Sequence, residues 1–238
     1  MLTMIIPGIC SLTQNEMNFN TYKYSLTLEH PNELFLRSIV HTDILPASSI
    51  NQSSTLDFFA YSVKSFRTFL YGNKNTNKNM NYNTVLRMIF MLTKQQQFLE
   101  QHNHGFYCIH LDDIIVIDDS LFFCVNPAVM KEFLIEDENK DENKEKDLYI
   151  QFRSPFSRTG FCSPEILDLK VLPAKVFYTC YYYSLGAIAI YCLLGTNICG
   201  LEYTQVMDII SPLLHTKLYW FLLKCLCPDV KKRKLLFI

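Results

Sequence analysis

The side chains with chemistry to offer are nine cysteines, six histidines and a nearly balanced set of acids and bases, and their spacing limits what they can do. No C-x-x-C occurs, and neither Cys225/Cys227 nor His102/His104 has the spacing of a zinc site, so no metal centre is expected. The cysteine count is odd, most cysteines sit in apolar runs, and MLTMIIPGICSL lacks the basic region and cleavage site of a signal peptide. Reduced thiols packed as small hydrophobes, in a cytoplasmic protein, are the expectation. The seven glycines are never closer than five residues apart, which excludes a G-x-G-x-x-G or Walker loop for cradling phosphates.

Composition sets further bounds. The net charge of −1 gives no global attraction to nucleic acid or to acidic membranes, and neither is an expected partner. Apolar residues make up 49% of the chain and charged residues only 19%, enough to bury a core and too apolar for disorder throughout. Val176 to Leu201 carries no charge and has the length to span a bilayer. It also contains three glycines and several polar residues, and it suits a central buried helix better. Two polar runs, at residues 72–83 and 136–147, read as mobile insertions; the second holds seven acids and three lysines.

Between these runs the periodicity defines elements. Glu33 to Val40 reads as a short helix and Leu56 to Tyr61 as a strand. Tyr82 to His102 has apolar residues at three- and four-residue intervals, the pattern of a long amphipathic helix. Ile114 to Ile117 and Leu121 to Val125, separated by Asp118-Asp119-Ser120, form a buried hairpin pattern. Helices are expected around Tyr178 to Leu194 and Lys217 to Cys227. Strands early and helices late predict an α+β fold with segregated parts.

Several segments, in this order, resemble the protein kinase fold. ELFLRSIVHTDILP (Glu33 to Pro46) resembles the αC helix and the strand after it, and LDFFAYSVKSFRTFL (Leu56 to Leu70) the hinge strand and first C-lobe helix. TGFCSPE (Thr159 to Glu165) is similar to the end of an activation segment, and YYYSLGAIAIYCLLG (Tyr181 to Gly195) to the central C-lobe helix. LLKCLCPDVKKR (Leu222 to Arg233) resembles the closing helix pair. The resemblance implies a reduced, strand-containing N-lobe at residues 1–62 and a mainly helical C-lobe at 63–238. It also implies a structural ion pair between Glu165 and Arg233, since either charge buried alone is costly.

The same resemblance implies a degenerate active site. Phosphoryl transfer needs metal ligands and a base that orients the hydroxyl. Aligned through the hairpin, Asp113 falls at the family's metal-binding asparagine and Asn126 at its metal-binding aspartate. Phe106-Tyr107-Cys108 stands where the family has His-Arg-Asp, so Cys108 replaces the base, and Tyr181 replaces the aspartate that anchors the catalytic loop. In a competing register His110-Leu111-Asp112 supplies the base as Asp112, but the metal positions then fall near Ile117 and Met130. Lys23 is the candidate to pair with Glu33; otherwise it is a solvent-facing residue on an edge strand. The implied function is that of a pseudokinase that binds a protein partner and has no cofactor. The alternative is an atypical serine/threonine kinase holding ATP and Mg²⁺ through Lys23, Glu33 and Asp113. A membrane-anchored protein spanning at Val176 to Leu201 is a third reading.

Overall fold

The computed structural model describes residues 2–6, 10–18, 21–41, 45, 48–72, 79–136 and 147–236. The chain separates into two compact units, residues 1–102 with 110–130 and residues 103–109 with 131–238. The boundary at 62/63 read from the sequence lies inside the first unit. Half of the first polar insertion (73–78) and most of the second (137–146) fall outside the described residues, and the end of the first, Tyr82 and Asn83, opens a helix instead.

The first unit begins with strands β1 (Leu2–Ile6), β2 (Cys10–Asn18) and β3 (Thr21–Leu28), followed by helix α1 (Glu33–Val40). Strands β4 (Ser49–Asn51) and β5 (Thr55–Ala60) complete an antiparallel sheet in the order β1-β2-β3-β5-β4. Along β3 and β5, Tyr24, Leu26 and Leu28 and then Leu56, Phe58 and Ala60 are buried at every second position. That period of two fixes the register, because a one-residue slip would turn the whole set to the other face. Helix α1 is capped by Asn32, whose side chain accepts the Phe35 N–H at 3.0 Å. It buries Phe35, Leu36 and Ile39.

Strand β6 (Val63–Ser65) leads into helix α2 (Phe66–Tyr71) and then the long helix α3 (Tyr82–Gln101). The next strand, β7 (His104–Phe106), belongs to the second unit. The chain returns to the first with the hairpin β8 (Ile114–Ile117) and β9 (Leu121–Cys124), which joins β6 in a three-stranded sheet. The hairpin turns through Asp118 and Asp119, at φ 52° and 54°, a left-handed pair that twists with the strands it joins. Asp118 holds the turn by accepting the N–H groups of Tyr61 and Ser62, both at 2.8 Å.

The second unit has a sheet in the order β12-β11-β10-β7, built from β7, β10 (Met130–Glu136), β11 (Asp147–Phe152) and β12 (Ala174–Phe177). Glu136 and Asp147 are paired in register, so the acidic run connects the ends of a hairpin. Four helices complete the unit: α4 (Pro164–Leu167), α5 (Cys180–Leu194), α6 (Tyr203–Ile210) and α7 (Lys217–Cys225). Helix α5 is buried at every position from Cys180 to Ile190 and again at Cys192, and Gly195 at φ 73° ends it. A Cβ on Gly186 would lie 2.8 Å from Leu226 Cδ2, so glycine permits the close approach of α5 to the end of α7. At 15 residues α5 is shorter than a bilayer requires. Among the described residues no helix is long and apolar enough to cross a membrane.

The architecture is α+β, assembled from small antiparallel sheets and helices. Strands are not confined to the early part as the sequence pattern predicts, because β10 to β12 follow α3 and the hairpin.

Candidate functional site

In the first unit, the hairpin and the chain entering it hold one buried carboxylate. Residues 111–113 form a 3₁₀ turn, capped by His110, whose Nδ1 accepts the Asp112 N–H at 3.2 Å. Asp113, 7% exposed, accepts the His110 N–H at 2.9 Å and the Asn126 side-chain amide at 2.6 Å. Its own carbonyl accepts the Val125 N–H at 2.7 Å, tying the two ends of the hairpin together. Asn126 is oriented in turn, since its Oδ1 accepts the Ala128 N–H at 2.9 Å. Burial pushes the Asp113 carboxyl above the usual range, while the hydrogen bonds from Asn126 and His110 partly offset it. The two positions that the kinase resemblance would align with metal ligands thus bind each other and carry a single carboxylate. Both oxygens of that carboxylate are already engaged, Oδ1 by Asn126 and Oδ2 by the His110 N–H.

Neighbouring Asp112, the base of the competing register, faces elsewhere. Arg67 clamps it in two bonds, Nε–Oδ1 at 2.7 Å and Nη2–Oδ2 at 2.9 Å. The Arg67 hydrogen bonds lower its pKa against a smaller upward push from burial. A carboxylate held ionised by a guanidinium is a weak proton acceptor. Ile117, at a metal position of that register, is buried on β8.

Lys23 and Glu33 take separate partners. Lys23 is on β3, between β2 and β5, so its strand is an inner one and not the edge strand the sequence suggested. Its Nζ lies 3.0 Å from Asp57 Oδ2 on β5. Asp57 also accepts from Ser25 Oγ at 2.7 Å and from Asn51 at 2.8 Å. Burial pushes the Asp57 pKa up, but those hydrogen bonds and the Lys23 charge outweigh it and leave the carboxyl low. Glu33, at the exposed start of α1, pairs with Arg37 one turn on, with Arg37 Nε at 2.8 Å, and accepts from Ser53 at 3.2 Å. The Arg37 hydrogen bonds, more than the Ser53 bond, lower its pKa.

In the second unit Cys108 is 2% exposed, and the preceding Phe106 packs its ring 5.2 Å from that of Tyr181 on α5. An aromatic contact therefore occupies the place where the resemblance puts a carboxylate anchor. Glu165 and Arg233, 68 residues apart in sequence, are brought together in a two-pronged pair with Nη2–Oε2 at 3.0 Å. The Arg233 side chain is 2% exposed and that of Glu165 23%. Arg233 also donates to the Cys227 carbonyl at 2.9 Å and lies 5.3 Å from the centre of the Tyr183 ring. Burial, above all, pushes the Tyr183 phenol up to about 12.

Sequence reasoning missed Gln95. It is fully buried on α3, and its amide donates to the Cys124 carbonyl at 2.8 Å and accepts the Cys124 N–H at 3.0 Å. It also donates to Ser38 on α1 at 3.1 Å, so one side chain joins α1, α3 and β9. The signal was a polar residue inside the apolar stripe of Met88, Met91, Leu92 and Leu99. Asp57 gave no such signal, because its partners are brought together only by strand pairing. Among the described residues no group of three histidine, cysteine or acidic side chains could hold a metal ion. No known family model matches the chain, and no curated protein is similar to it.

Proposed function

We propose that the chain is a protein kinase-like module that has lost phosphoryl transfer and works by binding a protein partner. The observation that carries the reading is the Asp113–Asn126 bond, at 2.6 Å, between the two positions that hold metal in a working kinase. One carboxylate shared between an amide and a backbone N–H offers Mg²⁺ a poor site. The order of elements supports the kinase-like part: Lys23 lies on the third strand, Glu33 opens the helix after it, and Glu165 pairs with Arg233 across the C-terminal unit. Lys23 bonded to Asp57, and Glu33 to Arg37, weigh against the alternative of an atypical kinase holding ATP and Mg²⁺ through Lys23, Glu33 and Asp113. The partner is a protein of unassigned identity, and no cofactor is part of the proposal.

Thermal unfolding with ATP tests the reading. A ligand that binds only the native state raises its stability by RT ln(1 + [L]/Kd). Any shift from ATP should be the same in Mg²⁺ as in EDTA. A larger shift in Mg²⁺, abolished by Asp113→Ala, contradicts the proposal and favours the atypical kinase.

A further inference from the structure

Trp220 is the only tryptophan in the chain, and it is 54% exposed in the middle of α7. The inner side of the helix is ordinary core: Leu218, Phe221, Leu222 and Cys225 are buried. On the outer side Lys217, Trp220 and Lys224 follow at three- and four-residue steps, so they share one face. The Tyr219 ring meets the indole edge-on at 5.6 Å, and Leu214, just before the helix, is 49% exposed. After the helix the chain turns back to its end, where the Lys234 N–H bonds the Lys224 carbonyl at 3.3 Å.

Charge separates this group from the other basic residues nearby. Lys231 pairs with Asp147, Lys232 with Asp229 and Arg233 with Glu165. Among the described residues Lys217, Lys224 and Lys234 make no ion pair. Two lysines without an ion-pair partner among the described residues, Lys217 and Lys224, therefore flank an exposed indole on the outer side of a helix. A helix face that seats in a partner's groove presents apolar anchors at successive turns, whereas here lysines hold the positions one turn before and after Trp220. A tryptophan with a lysine one turn to either side instead matches a lipid headgroup layer, where indoles concentrate and lysine stems lie along apolar surface with their charge outward.

We infer that the outer face of α7 is a peripheral contact surface for anionic lipid bilayers, with Trp220 seated at headgroup depth and Lys217 and Lys224 facing the lipid phosphates and carboxylates. Each basic residue near such a surface contributes about 1 kcal/mol, so contact is reversible and salt-sensitive. The inference is independent of the kinase-like reading.

Because Trp220 is the single indole, its emission reports the site directly. The full chain is mixed with phosphatidylserine–phosphatidylcholine vesicles or with phosphatidylcholine vesicles alone. The expected result is sedimentation with the anionic vesicles, a blue shift of emission, and loss of both in high salt. The exposed double substitution Lys217→Gln/Lys224→Gln, with unchanged far-UV circular dichroism, should weaken partitioning about 30-fold. Failure to sediment with anionic vesicles overturns the inference, as does undiminished binding by the double variant. A blue shift produced as strongly by poly-glutamate without vesicles also overturns it, in favour of an acidic protein partner.

Discussion

Arg233 sits at 2% exposure with its guanidinium bonded to Glu165, and the two charges cancel only while both are present. Removing one partner of a buried pair strands the other, at a cost of about 3–5 kcal/mol. Arg233→Met leaves Glu165, which is 23% exposed and partly reached by water, so it should lower unfolding stability by about 2–3 kcal/mol. Restoring neutrality with Glu165→Gln in the same chain should recover part of the loss, the coupling a double-mutant cycle reads. A loss under about 1 kcal/mol for Arg233→Met contradicts the account. Asp113 makes a prediction of opposite kind. Burial raises its pKa on folding, so the native state binds more protons there than the unfolded chain. Its contribution is fully present below the unfolded value and is lost as pH rises through the folded one. Asp112, lowered by Arg67, has the reverse sign and loses its contribution as pH falls. Asp113→Asn should therefore make the variant's stability rise more steeply with pH above about 4 than the parent's. Parallel profiles of melting temperature against pH would contradict this.

The elements are joined by a few side chains whose loss is specific. Gln95 bonds both backbone groups of Cys124 and the Ser38 hydroxyl. Gln95→Leu keeps the bulk and removes all three bonds, for an expected cost of about 1–3 kcal/mol in urea unfolding. A neutral outcome would show that the junction of α1, α3 and β9 depends on apolar packing alone. How much of these elements was legible in the sequence follows from their physics. Helices α1, α3 and α5 and the β8–β9 hairpin were readable within a few residues, because each has a local apolar period or a local turn signal. Strands β10, β11 and β12 were missed: the acidic run separates the first two, and a long connection separates β12 from β11. Neither interval contains a hairpin signal. The site was legible in part. Asp113, Asn126, Glu165 and Arg233 could be named from order along the chain. That Asp113 bonds Asn126, and that Lys23 turns to Asp57 and not to Glu33, depends on register and helix orientation, which no local pattern encodes.

At the scale of the whole molecule, each unit keeps a different part of the proposed module. The first holds Lys23, Glu33, Asp113 and Asn126; the second holds Cys108, Tyr181 and the Glu165–Arg233 pair. On the proposed reading, structural groups keep their partners, whereas the positions that would act on a phosphate are replaced or engaged by neighbours. Cys108, at the position the kinase resemblance gives to the base, is buried, and Tyr181, at its anchor position, makes a ring contact with Phe106. Single losses of an acid–base or charge-stabilising group cost about 10²–10⁴ in rate, and they do not simply add. The most direct test is incorporation of labelled γ-phosphate from ATP into the chain itself and into a generic protein substrate, with Mg²⁺ and Mn²⁺ tried separately. The account predicts no transfer above a no-protein control with either metal. Transfer that Asp113→Ala abolishes and Cys108→Ala leaves unchanged would contradict it and place an unconventional active site at the hairpin.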